Sequence, residues 1–87
     1  MLTSMHSTLV ERVCAELKTR GWTVTKEKKL KNVGKVDVYA EKQGRVFIVE
    51  CGYCEGNRRF ELKRGGYKFA WQPYLYLFNN RQSGLSL

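Results

Sequence analysis

Aspartate, histidine and proline each occur once in this chain, as Asp37, His6 and Pro73. Acidic residues are scarce against basic ones: 8 Asp+Glu face 16 Lys+Arg, for a net charge of +8 and a pI near 9.7. That balance points to a polyanionic partner, most simply nucleic acid, with a solvated basic surface as the plain alternative. The chain has no apolar run near the roughly 20 residues of a membrane span. Its first residues lack the charged start and apolar centre of a signal peptide, so a cytoplasmic location is expected. Cysteine is limited to Cys14, Cys51 and Cys54, and an odd number argues against a disulfide framework. Cys51 and Cys54 form a CxxC, but a tetrahedral zinc site needs four ligands. The other soft candidates are Cys14, on a helix stripe, and His6, in a loosely ordered start. No helix N-terminus directly follows the CxxC to lower a thiol pKa. A small zinc or redox protein is therefore only a third reading. A chain of 87 residues suits one domain, 1–87, with its core over 8–78. At that size the buried surface is modest, which favours pairing with a second copy.

The best-patterned stretch is Gly34–Gly52. Val36, Val38 and Ala40 alternate with Asp37 and Tyr39, Lys42–Arg45 supplies a short loop, and Val46–Val49 is a continuous buried-strand run. Before it, Val10, Val13, Cys14 and Leu17 repeat with helical spacing and predict a helix over Ser7–Arg20. Thr8 and Glu11 fit a capping box, Gly21 fits the stop, and residues 1–6 read as loose. Trp22–Thr25 starts a strand that runs into Lys26–Lys31, and Asn32-Val33-Gly34 is a turn. After a loop at Gly52–Gly56, Asn57 is an N-cap for a second helix, Arg58–Phe69, ended by Pro73. Tyr74–Phe78 reads as a buried last strand and Asn79–Leu87 as a frayed tail. The order helix, three strands, helix, strand gives an α/β sandwich with a mixed four-stranded sheet. Three strands form a meander, and the last lies parallel to the strand ending at Glu50.

Asp37 and Glu50 are carboxylates placed inside an apolar hairpin. Folding the hairpin brings the start of one strand beside the end of the next, so the two carboxylates approach. They repel unless a cation lies between them. Mg²⁺, or Mn²⁺, suits such a site, held by the two carboxylates, a backbone carbonyl such as that of Cys51, waters and a substrate phosphate. The alternative is structural: Asp37 accepting backbone hydrogen bonds and Glu50 paired with Arg45 or Lys35.

LVERVCAELKTRGWTV, KVDVYAEKQGRVFIVEC and QPYLYLF, in that order over roughly residues 8–78, resemble the PD-(D/E)xK nuclease superfamily, with its minimal αβββαβ restriction-endonuclease-like fold. Archaeal Holliday-junction resolvases and Mrr-like nucleases are the nearest likeness. The resemblance implies a metal-dependent endonuclease with Asp37 and Glu50 as catalytic metal ligands. It adds Glu11 as a further metal-site acid, although Glu11 also serves the capping box. Two departures stand out. Val36 replaces the proline that often precedes the aspartate, and Gly52 stands where the family has its lysine. The substitutes, in order, are Lys63, Arg59 and Lys35. Without one of them the chain would be a binding module of the same fold that does not cut.

Basic residues are expected to contact the polyanion. Lys28, Lys29, Lys31 and Lys35 surround the first turn, with Lys26 beside them. Arg58, Arg59, Lys63, Arg64 and Lys68 lie on or beside the second helix, Arg59 with Lys63 on one face and Arg64 with Lys68 on another. Nothing resembles a base-reading helix or zinc finger, so recognition of backbone and shape is expected. Tyr53 and Trp71 are candidates for stacking on bases. DNA is favoured over RNA, a homodimer is expected, and so short a chain would suit a virus or mobile element.

Overall fold

The computed structural model describes residues 4–53 and 56–78. Cys54 of the CxxC and the tail from Asn79 lie outside the described residues. Helix α1, Met5–Thr19, buries the expected stripe of Val10, Val13, Cys14 and Leu17, joined by Leu9. It begins earlier than the sequence suggests. Ser4, not the Thr8–Glu11 pair, is the N-cap, and its Oγ accepts the Ser7 N–H at 3.0 Å. Gly21, at φ +91°, lets the chain reverse so that the Trp22 N–H bonds to the Leu17 carbonyl at 3.0 Å.

Strands β1 (Thr23–Leu30), β2 (Gly34–Lys42) and β3 (Arg45–Cys51) form the expected antiparallel meander. Gln43 and Gly44 make the β2–β3 turn, both with positive φ, which matches the right-handed twist of the paired strands. Helix α2, Gly56–Arg64, then crosses to β4, Lys68–Gln72, which pairs in parallel with β3. The sheet order is β1-β2-β3-β4. One core lies between α1 and the sheet, around Leu9, Val13, Leu17, Val38 and Val49. The other lies beneath α2, around Ile48, Val36 and Leu62. The chain is thus α/β, a mixed four-stranded sheet with a helix on each face. No helix among the described residues is long and apolar enough to cross a membrane.

The parallel strand comes from a different segment than expected. The second helix stops at Arg64, because Gly65 and Gly66 break it, with Gly66 at φ +78°. Phe69 and Trp71 then alternate with Ala70 and Gln72 as β4, and Pro73, which lacks an N–H, ends the ladder. Tyr74–Phe78 finds the place beside β3 already filled and coils into a 3-10 helix. Its Tyr74, Tyr76 and Leu77 pack against the α1-side core, while Leu75 and Phe78 face solvent. Asn57 lies inside α2, which begins at Gly56, so it is not an N-cap.

Candidate functional site

The regular β2–β3 ladder runs to Val38 opposite Val49, so Asp37 and Glu50 stand at the next register step. There the Asp37 side chain replaces a backbone acceptor: its Oδ2 takes the Cys51 N–H at 2.8 Å. The sheet is distorted at the same level on its other side. Glu27, across from Asp37 on β1, has φ +52°, a left-handed backbone costing a non-glycine residue about 1–2 kcal/mol. Val24 and Val38 pack under α1, yet Leu30 and Val36, of the same strand parity, pack under α2. Both strands therefore exchange faces around the Glu27–Asp37 level, and Asp37 sits where they turn over.

The two carboxylates line one cleft of about 330 Å³, with His6, Lys35, Cys51, Tyr53, Arg58 and Tyr74. His6 Nε2 from the first turn of α1 lies 3.3 Å from Asp37 Oδ1. Glu50 is 9% exposed. Arg58 Nε stands 3.8 Å from Glu50 Oε1, near enough to attract the charge but too far to bond. Oε1 is accordingly buried with no hydrogen-bond partner among the described residues. Burial, then the Asp37 carboxylate alongside, push the Glu50 carboxyl from its ordinary 4.5 to about 8, against the pull of Arg58.

This proton has a consequence for stability. Folded Glu50 keeps its proton up to about pH 8, whereas in the unfolded chain it is released near 4.5. Between those values the folded state binds the extra proton, so stability is greatest below the lower value and falls as pH rises toward the upper one. Thermal melts from pH 5 to 8.5 are expected to show this decline, and Glu50→Gln to flatten it and melt several degrees higher at pH 8. An unchanged slope in Glu50→Gln would remove Glu50 as its source.

Several expected residues are placed elsewhere. Lys63 is exposed on α2 and does not line the cleft. The cleft's cations are Arg58, one turn before Leu62, and Lys35, at the start of β2. Arg58 is fixed by donating from Nη1 to the Val33 carbonyl, and Lys35 lies 3.7 Å from Glu27. Glu11 is also outside this cleft: it is exposed and paired with Lys26, whose hydrogen bond and charge hold its carboxyl below the ordinary range. Cys51 lines the cleft while its thiol joins the α1-side core, so it presents backbone there. Burial pushes that thiol well above its ordinary pKa, which disfavours redox use of the CxxC. Lys68 lies on β4, not on the helix with Arg64, which stacks on Phe60 with its guanidinium carbon 4.9 Å from the ring centroid. Lys31 and Arg64 flank a separate groove beneath the β1–β2 turn. Lys28 lies over the Tyr39 ring, and Lys29 and Arg59 are exposed. His6 and Tyr74 were missed as cleft residues. Ser4 capping α1 was the available signal for His6.

Gly52 explains the missing lysine. Its φ is +92°, and a Cβ there would lie 2.8 Å from the Tyr74 ring and hydroxyl. The chain leaves the strand at this point, its N–H bonded to the Gln72 carbonyl at 2.9 Å and its carbonyl accepting from the Trp71 indole. Position 52 has neither the backbone nor the room for a lysine.

Among the described residues no group of three or more His, Cys, Asp or Glu side chains forms a ready-made metal cage. Mg²⁺ does not need one: it commonly takes one or two carboxylates and completes its shell with water and phosphate. The buried, unbonded Glu50 Oε1 beside Asp37 fits that donor set. No protein-family model matches the chain and no curated protein matches it, so the likeness to PD-(D/E)xK nucleases rests on its residues alone.

Proposed function

We propose that the chain is a metal-dependent endonuclease of the PD-(D/E)xK kind, acting on the backbone of nucleic acid, DNA before RNA. One observation carries this reading: Asp37 and Glu50 meet in a single cation-lined cleft where a buried carboxylate oxygen accepts no hydrogen bond from the described residues. Both carboxylates, with backbone at Cys51, would hold Mg²⁺ or Mn²⁺. Such an ion, when bound, lowers the pKa of a water and neutralises charge on the phosphodiester. Glu50 must first release its proton, so ion binding strengthens as pH rises. Asp37 is kept in place by the Cys51 N–H. Lys35 and Arg58 would grip the phosphate oxygens, taking the part for which the resemblance put Lys63 forward. Arg58 is suited to this because Val33 occupies only one of its donors. The net charge of +8 supplies the attraction that draws a polyanion in.

The test is incubation of the purified protein with a four-way junction, a flap, a duplex and single strands, in Mg²⁺, Mn²⁺ or EDTA. Cleavage that needs the metal is expected. Lys35→Ala and Arg58→Ala are each expected to weaken it about 10- to 100-fold, the size of one charged hydrogen bond, and Lys63→Ala to change it little. Loss in Lys63→Ala with Lys35→Ala and Arg58→Ala active would overturn these roles. A second reading is favoured by Gly52: a module that binds nucleic acid without cutting it. Gel shifts that persist with no cleavage of any substrate would select it.

A further inference from the structure

Tyr53 follows Gly52 at the lip of the cleft and is 86% exposed. An aromatic ring left in water gives folding almost none of its hydrophobic gain, yet this one has an aromatic neighbour. It meets Tyr74 edge to face, with centroids 5.6 Å apart and planes at 82°. Tyr74 is itself seated on the α1-side core with its hydroxyl end against Gly52. The Trp71 indole, bonded to the Gly52 carbonyl, steadies the same turn. A support anchored in the core thus presents an open ring beside Lys35, Arg58 and the two carboxylates.

That juxtaposition says which nucleotide fits. In a closed duplex the bases are stacked inside, and only phosphates reach a surface cleft. A nucleotide can put its phosphate between Lys35 and Arg58 and its base on Tyr53 only if that base is unpaired. We propose that Tyr53 is a stacking platform for an unpaired nucleobase next to the bound phosphate, so that the site selects single-stranded or branched nucleic acid over closed duplex. This deepens the phosphodiester reading and rests on it. Stacking on an aromatic side chain tolerates any base, in keeping with the absence of a base-reading element.

The experiment measures binding by fluorescence anisotropy. The probes are a labelled single-stranded DNA, a flap and a blunt duplex of one sequence, with Ca²⁺ replacing Mg²⁺ to hold off hydrolysis. The parent is expected to bind the single strand and the flap at least about tenfold more tightly than the duplex. Tyr53→Ala is expected to weaken those two by about 5- to 100-fold and leave the duplex within about twofold, whereas Tyr53→Phe keeps parental binding. A 2-aminopurine at the flap junction is expected to be quenched by the parent and not by Tyr53→Ala. A parent that prefers duplex, a Tyr53→Ala that weakens all three probes alike, or a Tyr53→Phe as weak as Tyr53→Ala would overturn the platform. The underlying reading fails separately. If the binding pattern appears but no metal-dependent cleavage does, stacking stands and hydrolysis falls. If Asp37-dependent cleavage appears and Tyr53→Ala binds like the parent, only the platform falls.

Discussion

Asp37→Ala is expected to reduce metal-dependent cleavage by at least about a thousandfold. Asp37 is one of two carboxylates that line the cleft among the described residues, and a bound cation's stabilisation of developing charge is worth several kcal/mol, with each 1.36 kcal/mol a factor of ten. The alanine variant carries a second effect. It strips the acceptor from the part-buried Cys51 N–H, which costs about 1–3 kcal/mol of stability. Asp37→Asn separates the two, since its amide oxygen can still accept from Cys51 while the charge is gone. Asp37→Asn is expected to fold as the parent does, by thermal melting, and to cut as poorly as Asp37→Ala. Burial remains the main influence on Glu50 in either variant, so its carboxyl stays above the ordinary value although Asp37 no longer adds to the shift. Cleavage by Asp37→Asn within about tenfold of the parent would remove the carboxylate pair from the chemistry.

Gly52→Lys restores the residue that the resemblance expects, and it is expected to harm the protein. A side chain at φ +92° costs about 1–3 kcal/mol. A Cβ 2.8 Å from the Tyr74 ring adds the cost of overpacking, about 1–3 kcal/mol more. For a domain of this size the melting temperature should fall by about 10 °C or more, with no gain in cleavage. Pairing Gly52→Ala with Tyr74→Ala relieves the overlap but not the backbone strain, so it is expected to recover only part of the loss relative to Gly52→Ala. A Gly52→Lys protein that melts with the parent and cuts faster would mean that this corner of the cleft can open to admit the motif lysine.

Much of the fold could be read from local pattern. The α1 stripe, the tight turn at Gln43-Gly44, the meander and the parallel return after a helix follow from spacing, turn chemistry and connection rules. The approach of Asp37 to Glu50 follows from hairpin geometry. What failed was non-local or locally ambiguous. Tyr74–Phe78 is a short apolar run, and such runs suit a strand or a helical turn equally. The choice turns on Lys68–Gln72 holding the edge of β3, a competition between segments that neither segment's own composition decides. Pro73 reads as the stop of the second helix, yet Gly65-Gly66 ends it sooner, at Arg64. The cations of the cleft were hardest to place. Lys63 and Arg58 look alike in sequence, and what separates them is a hydrogen bond from Arg58 to Val33, 25 residues away. Gly52 was legible as a departure from the motif, but its cause, the Tyr74 ring, comes from the 3-10 helix, the third element after it.

The two halves of this cleft differ in how far along the chain their parts must travel. Asp37 and the Cys51 N–H it accepts are 14 residues apart and joined by a two-residue turn. Arg58 arrives on the other side of a crossover and is tied to a carbonyl 25 residues back. Closing a short loop costs less chain entropy than closing a long one, and sequence-local contacts form sooner. The acidic half is therefore nearly a self-contained hairpin, while the basic half depends on α2, where Leu62 is the only buried residue. The cleft is thus divisible: the hairpin holds the paired carboxylates by local contacts, while the positive charge of Arg58 depends on the separate packing of α2.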